Sequence, residues 1–133
     1  VPTTVVRAGE LSQAVLLAAI RAGHVFVDVA GSRDRLLEVT ADSGGARAQM
    51  GDSLRAPAGA KVEFSVRVVG APGGRVVISG DGPAPSGDLA LTSADQTLAL
   101  EMVADGRPAW LRVDVRDAGG KLALVGNPIY LRP

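Results

Sequence analysis

The sequence predicts a mainly β fold, an immunoglobulin-like antiparallel β-sandwich of about seven or eight strands with one N-terminal α-helix. Residues 61–69 alternate strictly, with Val62, Phe64 and Val66 on one face and Lys61 and Glu63 on the other. Such a period of two is typical of a sheet with one solvated side. Glycine-rich turns separate many short apolar segments, and no strand–helix–strand alternation follows residue 23.

The N-terminal region predicts an extended segment followed by the helix. Residues 2–6 are β-branched after Pro2. The helix begins at Leu11 and ends at Ala22, with Ser12 as its N-cap and Gly23 just beyond its end. Because its sides are almost all apolar, we expect it to be buried. The chain therefore divides into residues 1–23, an extended segment with a helix, and residues 24–133, the sandwich.

The remaining elements follow from alternation and turn composition. Strands are predicted at residues 24–29, 36–41, 61–69, 75–79, 97–102, 110–116, 122–125 and 129–131. The glycine pairs at 44–45, 73–74 and 119–120 are interpreted as hairpin turns, and residues 80–87 as a loop.

Composition excludes several functional classes. The chain has 133 residues, with 14 basic and 14 acidic side chains and no cysteine. A disulfide framework, a thiolate nucleophile and a cysteine-ligated zinc are therefore excluded. The balanced charge argues against nucleic acid as a partner. No apolar stretch reaches the roughly 18 residues of a membrane span, and the compartment stays open.

His24 and Asp28 are the weakest candidates for a site. His24 is the only histidine, at the junction of helix and strand, and is interpreted as a helix C-terminal residue facing solvent or the helix dipole. Alternation puts His24, Phe26 and Asp28 on one strand face. That face is interpreted as solvated; a buried, hydrogen-bonded Asp28 and a shared His24–Asp28 site are the alternatives.

No catalytic or metal-binding residue is predicted. The loop carboxylates, Asp52 and Asp81 among them, lack calcium-loop spacing and are interpreted as turn or cap residues. Serine nucleophiles lack a suitable base.

Trp110, Arg112 and Arg116 are the candidate interaction surface. They alternate along residues 110–116 on one strand face, together with Asp114. An aromatic ring beside arginines is typical of a platform for a sugar or a protein partner. In the alternative interpretation, Trp110 covers the edge of the core and the arginines are merely solvated.

Several segments together resemble the C-terminal region of PHP-domain metal-dependent phosphoesterases, the CehA/McbA-like metallohydrolases. They are residues 2–6, 11–12, 19–27, 50–52, 110–117 and 127–131, the last reading Asn-Pro-Ile-Tyr-Leu. Their order and spacing run from end to end of the chain.

The resemblance implies a C-terminal accessory domain without catalytic residues of its own. The family's His and Asp/Glu ligands, which hold divalent metals (Mn, Zn or Fe), belong to a preceding catalytic barrel, and the parent chemistry is metal-assisted phosphoester hydrolysis. The expected partners are that N-terminal catalytic domain and, through the helix at residues 11–22, a second copy of the chain. An independent carbohydrate- or protein-binding module is the first alternative, and a small enzyme using His24 and Asp28 the second.

Overall fold

The computed structural model describes residues 1–9 and 12–133. Within them the elements are β1 (Thr3–Val6), α1 (Gln13–Arg21), β2 (Val25–Asp28), β3 (Leu36–Ser43), β4 (Ala46–Gln49), β5 (Ser53–Arg55), β6 (Lys61–Val69), β7 (Arg75–Gly80), β8 (Asp95–Val103), β9 (Ala109–Arg116), β10 (Leu122–Val125) and β11 (Ile129–Arg132). The predicted helix start at Leu11, and that part of the motif at 11–12, lie outside the described residues.

Both predicted helix caps are confirmed. The side chain of Ser12 accepts a hydrogen bond from the N–H of Val15 at 3.2 Å. At the other end Gly23 has a φ of 77°. The N–H of Gly23 donates to the Ile20 carbonyl, and the N–H of His24 donates to the Ala19 carbonyl. This pair of bonds is a Schellman motif, which needs a left-handed residue and therefore favours glycine.

Within the chain itself the helix is largely exposed rather than buried. Ala19 is the only buried side chain among its described residues, whereas Leu17 is 42% exposed and Ile20 48% exposed. The helix has nine residues and ends against the sandwich, where the side-chain amide of Asn127 donates to the Gly23 carbonyl at 2.8 Å. Among the described residues no helix is long and apolar enough to cross a membrane.

The strands form two sheets. The smaller, called the second sheet, has four antiparallel strands in the order β4-β3-β6-β8. Its central strand β6 pairs with β3 on one edge and with β8 on the other. Gly44 and Gly45 join β3 to β4, with φ values of 56° and 84°. Two successive positive φ angles are those of a tight type I′ hairpin turn, so the glycine pair confirms that prediction.

The first sheet has seven strands and is organised around β9. β7 pairs with one edge of β9, while β10 and β11 share the other edge in succession. β10 continues to β2 and then β1, and β11 continues to β5 in a parallel pairing. Because β1 pairs with β2, part of the predicted N-terminal segment, residues 1–23, belongs to the first sheet of the sandwich.

The predicted immunoglobulin-like β-sandwich with one helix is confirmed. β6 and β8 are neighbours in one sheet, and β7, β9 and β11 are neighbours in the other, as strands B and E and strands C, F and G are in immunoglobulin domains. The described residues contain eleven strands rather than eight, because the short β4 and β5 escaped the alternation pattern and the extended N-terminal segment forms β1. The turn at Gly73 and Gly74 is not a hairpin, since it carries the chain from β6 in one sheet to β7 in the other.

The core lies between the facing sides of the two sheets. Its largest fully buried apolar side chains are Leu37, Leu54, Leu124, Ile129, Val62, Val66, Val68, Val76 and Val115. Branched aliphatic residues fill the layer, with Phe26 and Phe64 as its aromatic members. The loop over residues 81–94 closes one side of the sandwich, because Ser86 exchanges backbone bonds with Glu101 on β8 and Leu89 accepts from Val76 on β7.

Candidate binding surface

Two aromatic side chains lie side by side on the outer face of the first sheet. Trp110 of β9 is directly opposite Tyr130 of β11. The N–H of Trp110 donates to Oδ1 of Asp81 at 2.8 Å, and the N–H of Tyr130 donates to the Asp52 carbonyl at 2.9 Å. Because neither amide bonds to the other residue, this is a non-hydrogen-bonded pair, in which side chains approach most closely.

The aromatic pair is exposed but firmly supported. Trp110 is 36% exposed and Tyr130 is 43% exposed. The residues that alternate with them, Leu111, Ile129 and Leu131, are buried in the core. β9 is paired along both edges, so the backbone under the two rings is held on every side. A surface of this kind presents large apolar area that needs little ordering when a ligand binds.

A shallow open groove of about 520 Å³ runs beside the two rings. Pro108 and Pro133 form part of its lining, together with Asp81 and Arg132. Aromatic faces, rigid proline rings and a few polar groups are the composition expected of a recognition site.

The predicted surface residues Arg112 and Arg116 share this outer face with Trp110. Arg112 donates from Nε and Nη2 to Oδ2 of Asp114, at 3.2 and 2.9 Å. Arg116 donates from Nη1 to the Gly120 carbonyl at 2.9 Å. Asp114 itself is buried, because it lies beneath these bonds and also accepts the N–H of Gly126.

Sequence reasoning missed Tyr130 as a site residue. The segment 129–131 was recognised as a strand, but alternation within one strand does not reveal which strand lies beside it. The register that brings Tyr130 opposite Trp110 depends on the break at Gly126, Asn127 and Pro128, which separates β10 from β11. The available signal was a tyrosine that alternates with apolar residues in the segment Ile129-Tyr130-Leu131.

His24 and Asp28 do not form a common site. Nε2 of His24 lies 2.8 Å from Oδ1 of Asp52, and the histidine side chain is 21% exposed. Oδ2 of Asp52 also accepts the N–H of Gln49, so Asp52 closes its turn as predicted and in addition fixes the histidine. This bond ties the end of the helix to the turn between β4 and β5. No pattern of residues pointed to the His24–Asp52 pair.

The interpretation of the Phe26–Asp28 face as solvated is wrong. Phe26 is 4% exposed and Asp28 is fully buried, so that side of β2 faces the interior. The alternative, a buried and hydrogen-bonded aspartate, is the correct one. Oδ2 of Asp28 accepts the hydroxyl of Ser32 at 2.7 Å and the N–H of Arg33 at 3.2 Å. Oδ1 is buried with no hydrogen-bond partner within residues 1–9 and 12–133.

The ionisation of Asp28 is expected to make stability depend on acid pH. Burial opposes the charge, but the bonds from Ser32 and Arg33 and the positive charge of Arg35 outweigh it, so the pKa of Asp28 lies below its ordinary 3.8. A lowered pKa stabilises the fold above the ordinary value, and this contribution is lost as the pH falls through the folded-state pKa. In urea unfolding at pH 7, 5, 4 and 3, the stability advantage of the wild type over Asp28→Asn should stay constant down to about pH 5 and then shrink. An advantage that grows on acidification would contradict the assignment.

No protein-family model matches this chain, and neither does any curated protein. In the described part of the chain, no three His, Asp or Glu side chains come together as a metal-binding group.

A second cavity opens between the sheets beside β1 and β2. It measures about 90 Å³, has mainly apolar walls that include Phe26 and Leu37, and has His24 and Glu38 in its lining. Ligand pockets usually measure about 300–1,000 Å³, so this space is too small for an ordinary organic ligand. Of these two spaces, the groove beside Trp110 and Tyr130 is the one large enough for an organic ligand.

Proposed function

We propose that this chain is a non-catalytic binding domain whose ligand rests on Trp110 and Tyr130. The observation that carries the proposal is the exposed, rigidly supported cross-strand pair of aromatic rings. An isolated exposed aromatic side chain is common on protein surfaces, whereas two adjacent ones beside a groove form a continuous apolar platform. The alternative interpretation, in which Trp110 covers the edge of the core and the arginines are merely solvated, does not account for the exposed ring of Tyr130.

Carbohydrate is the ligand class that suits the platform best. The flat side of a pyranose ring presents C–H groups, which carry partial positive charge, and the face of an aromatic ring is negative. Sugar rings can therefore lie on the indole and the phenol while their hydroxyls bond to polar groups nearby. Asp81 and Arg132 line the groove and offer an acceptor and a donor beside the rings.

We further propose that the domain serves a PHP-type metal-dependent phosphoesterase as its C-terminal accessory domain. The support is the sequence resemblance, whose two closing segments, 110–117 and 127–131, also supply both rings of the platform. The exposed Leu17 and Ile20 of α1 offer apolar surface for packing against the catalytic barrel or a second copy. The parent's Mn, Zn or Fe ions would belong to that barrel, and no residue of this chain is assigned to them. Phosphoester turnover by this chain alone, with Mn²⁺ or Zn²⁺ added, would contradict the assignment.

The binding proposal is tested by affinity electrophoresis of the purified chain in gels that contain soluble polysaccharides, both neutral and acidic. At least one polysaccharide should retard the wild type, and Trp110→Ala and Tyr130→Ala should each weaken binding by about tenfold or more. Val103→Ala is the matched control, because Val103 is an apolar side chain that is 61% exposed on the second sheet. Retardation that Trp110→Ala leaves unchanged, or no retardation by any polysaccharide, would refute the proposal.

A further inference from the structure

On the outer face of the first sheet arginines outnumber carboxylates, although the lining of the groove contains one acidic residue, Asp81, beside one basic residue, Arg132. Five arginines project from the outer face of the first sheet: Arg55, Arg75, Arg112, Arg116 and Arg132. Arg132 is directly opposite Arg55, and Arg75 is directly opposite Arg116. Like charges in such cross-strand positions destabilise a sheet, so two such pairs on one face are a cost to the fold.

On the second sheet, by contrast, basic side chains form ion pairs with acidic ones. On its outer face Lys61 lies 3.0 Å from Glu101, Arg67 lies 2.9 Å from Asp95, and Arg47 from β4 lies 2.8 Å from Asp42.

The first sheet has little such pairing. Of its five arginines, only Arg112 makes an ion pair with another described residue, and its partner is Asp114. The carboxylate of Asp114 is also the only one among the described strand residues of that face. The chain as a whole has no net charge, but the charged side chains of the second sheet are paired, whereas four of the five arginines on the first sheet have no ion-pair partner among the described residues.

Three arginines of this face lie within reach of the rings: the unpaired Arg55 and Arg132, and Arg112, which is paired with Asp114. Arg132 follows Tyr130 by two residues on β11 and so points to the same side, about 7 Å along the strand. Arg55 lies beside Arg132 on β5. At the opposite end of the platform, Arg112 follows Trp110 by two residues on β9. A ligand lying across the two rings would thus meet a guanidinium group at each end.

We propose that the ligand is an acidic polysaccharide built from uronic acids. Its sugar rings lie on Trp110 and Tyr130, and its carboxylates accept paired hydrogen bonds from Arg132 and Arg55. The planar guanidinium group matches a carboxylate in this two-bond geometry, which a lysine ammonium cannot provide. This inference rests on the proposed carbohydrate-binding function and adds the charge of the ligand to it.

A uronate polymer suits this surface better than single-stranded nucleic acid. Nucleic acid binding depends on many phosphate contacts and on a positively charged protein. This chain has no net charge and only a small cluster of unpaired cations beside two rings. A polymer with one carboxylate per sugar provides a lower density of charge and a stackable ring at every repeat.

The test is titration calorimetry with polygalacturonate, a neutral glucan, polyglutamate and single-stranded oligothymidylate. We expect the wild type to bind polygalacturonate about tenfold or more tightly than the neutral glucan, with affinity that falls as salt is added. The double variant Arg55→Gln/Arg132→Gln should lose about tenfold or more in affinity for polygalacturonate and keep its affinity for the glucan. Arg47→Gln, which removes a charge from the second sheet, is the control and should change neither.

The outcomes separate this inference from the proposed function. Equal binding of both polysaccharides, abolished by Trp110→Ala, would overturn the inference and leave carbohydrate binding intact. Tighter binding of oligothymidylate or polyglutamate than of polygalacturonate would overturn it in favour of another polymer. Polygalacturonate binding that needs the arginines but survives Trp110→Ala would refute the platform itself. Binding of no polysaccharide would refute both proposals.

Discussion

Phe64→Ala is expected to lower the free energy of unfolding by about 3–5 kcal/mol, the usual cost of deleting a fully buried phenylalanine side chain. Phe64 is 2% exposed at the middle of β6, the central strand of the second sheet, between Ala41 of β3 and Leu100 of β8. Because β3 and β8 hold β6 along both edges, the surrounding chain cannot move in to fill the space left by the ring, so a cavity should remain. The melting temperature should fall by about 10–20 °C.

Urea and thermal unfolding followed by circular dichroism measure this effect. Val103→Ala is the control, since Val103 lies near the end of β8 and is largely exposed, and it should change the free energy of unfolding by less than about 0.5 kcal/mol. A loss below about 1 kcal/mol for Phe64→Ala would mean that the two sheets do not close over this residue.

Gly126→Ala is expected to destabilise the fold by about 3 kcal/mol, because a side chain there meets backbone rather than open space. A Cβ at this position would lie 2.2 Å from the Val113 carbonyl oxygen and 3.3 Å from side-chain atoms of Leu37 and Met50. The N–H of Gly126 also bonds to that same carbonyl, so the backbone cannot move away without losing the bond.

The control for Gly126→Ala is Gly9→Ala, where a Cβ would meet no described residue within 4 Å. Chemical denaturation should show a large loss for the first variant and almost none for the second. Because Gly126 lies at the break between β10 and β11, its substitution should also disturb the register of Tyr130 with Trp110 and weaken ligand binding. Equal stability of both variants would contradict the close approach of the two backbones.

The sequence predicted those features that depend on local chemistry. The bounds of β6 follow from alternation, the helix caps at Ser12 and Gly23 follow from capping chemistry, and the turn at Gly44 and Gly45 follows from the φ angles that only glycine adopts readily.

The features it missed depend on contacts distant in sequence. Asp28 was expected to be solvated because a single strand's pattern does not say which of its faces meets the other sheet. Trp110 was recognised, but its neighbour Tyr130 and the facing arginines 55 and 132 were not, since strand register is set by packing of the whole sandwich. The parallel pairing of β5 with β11 likewise left no local signature.

The fluorescence of Trp110 offers the most direct test of the central claim, that ligand rests on the aromatic pair. Trp110 is the only tryptophan in the chain, so the emission reports on this one site. Titration with polygalacturonate should shift the wild-type emission to shorter wavelength in a saturable way, because the sugar excludes water from the indole. Tyr130→Ala should require a higher polysaccharide concentration for the same shift. Polysaccharide binding measured by calorimetry without any change in the emission of Trp110 would contradict the account.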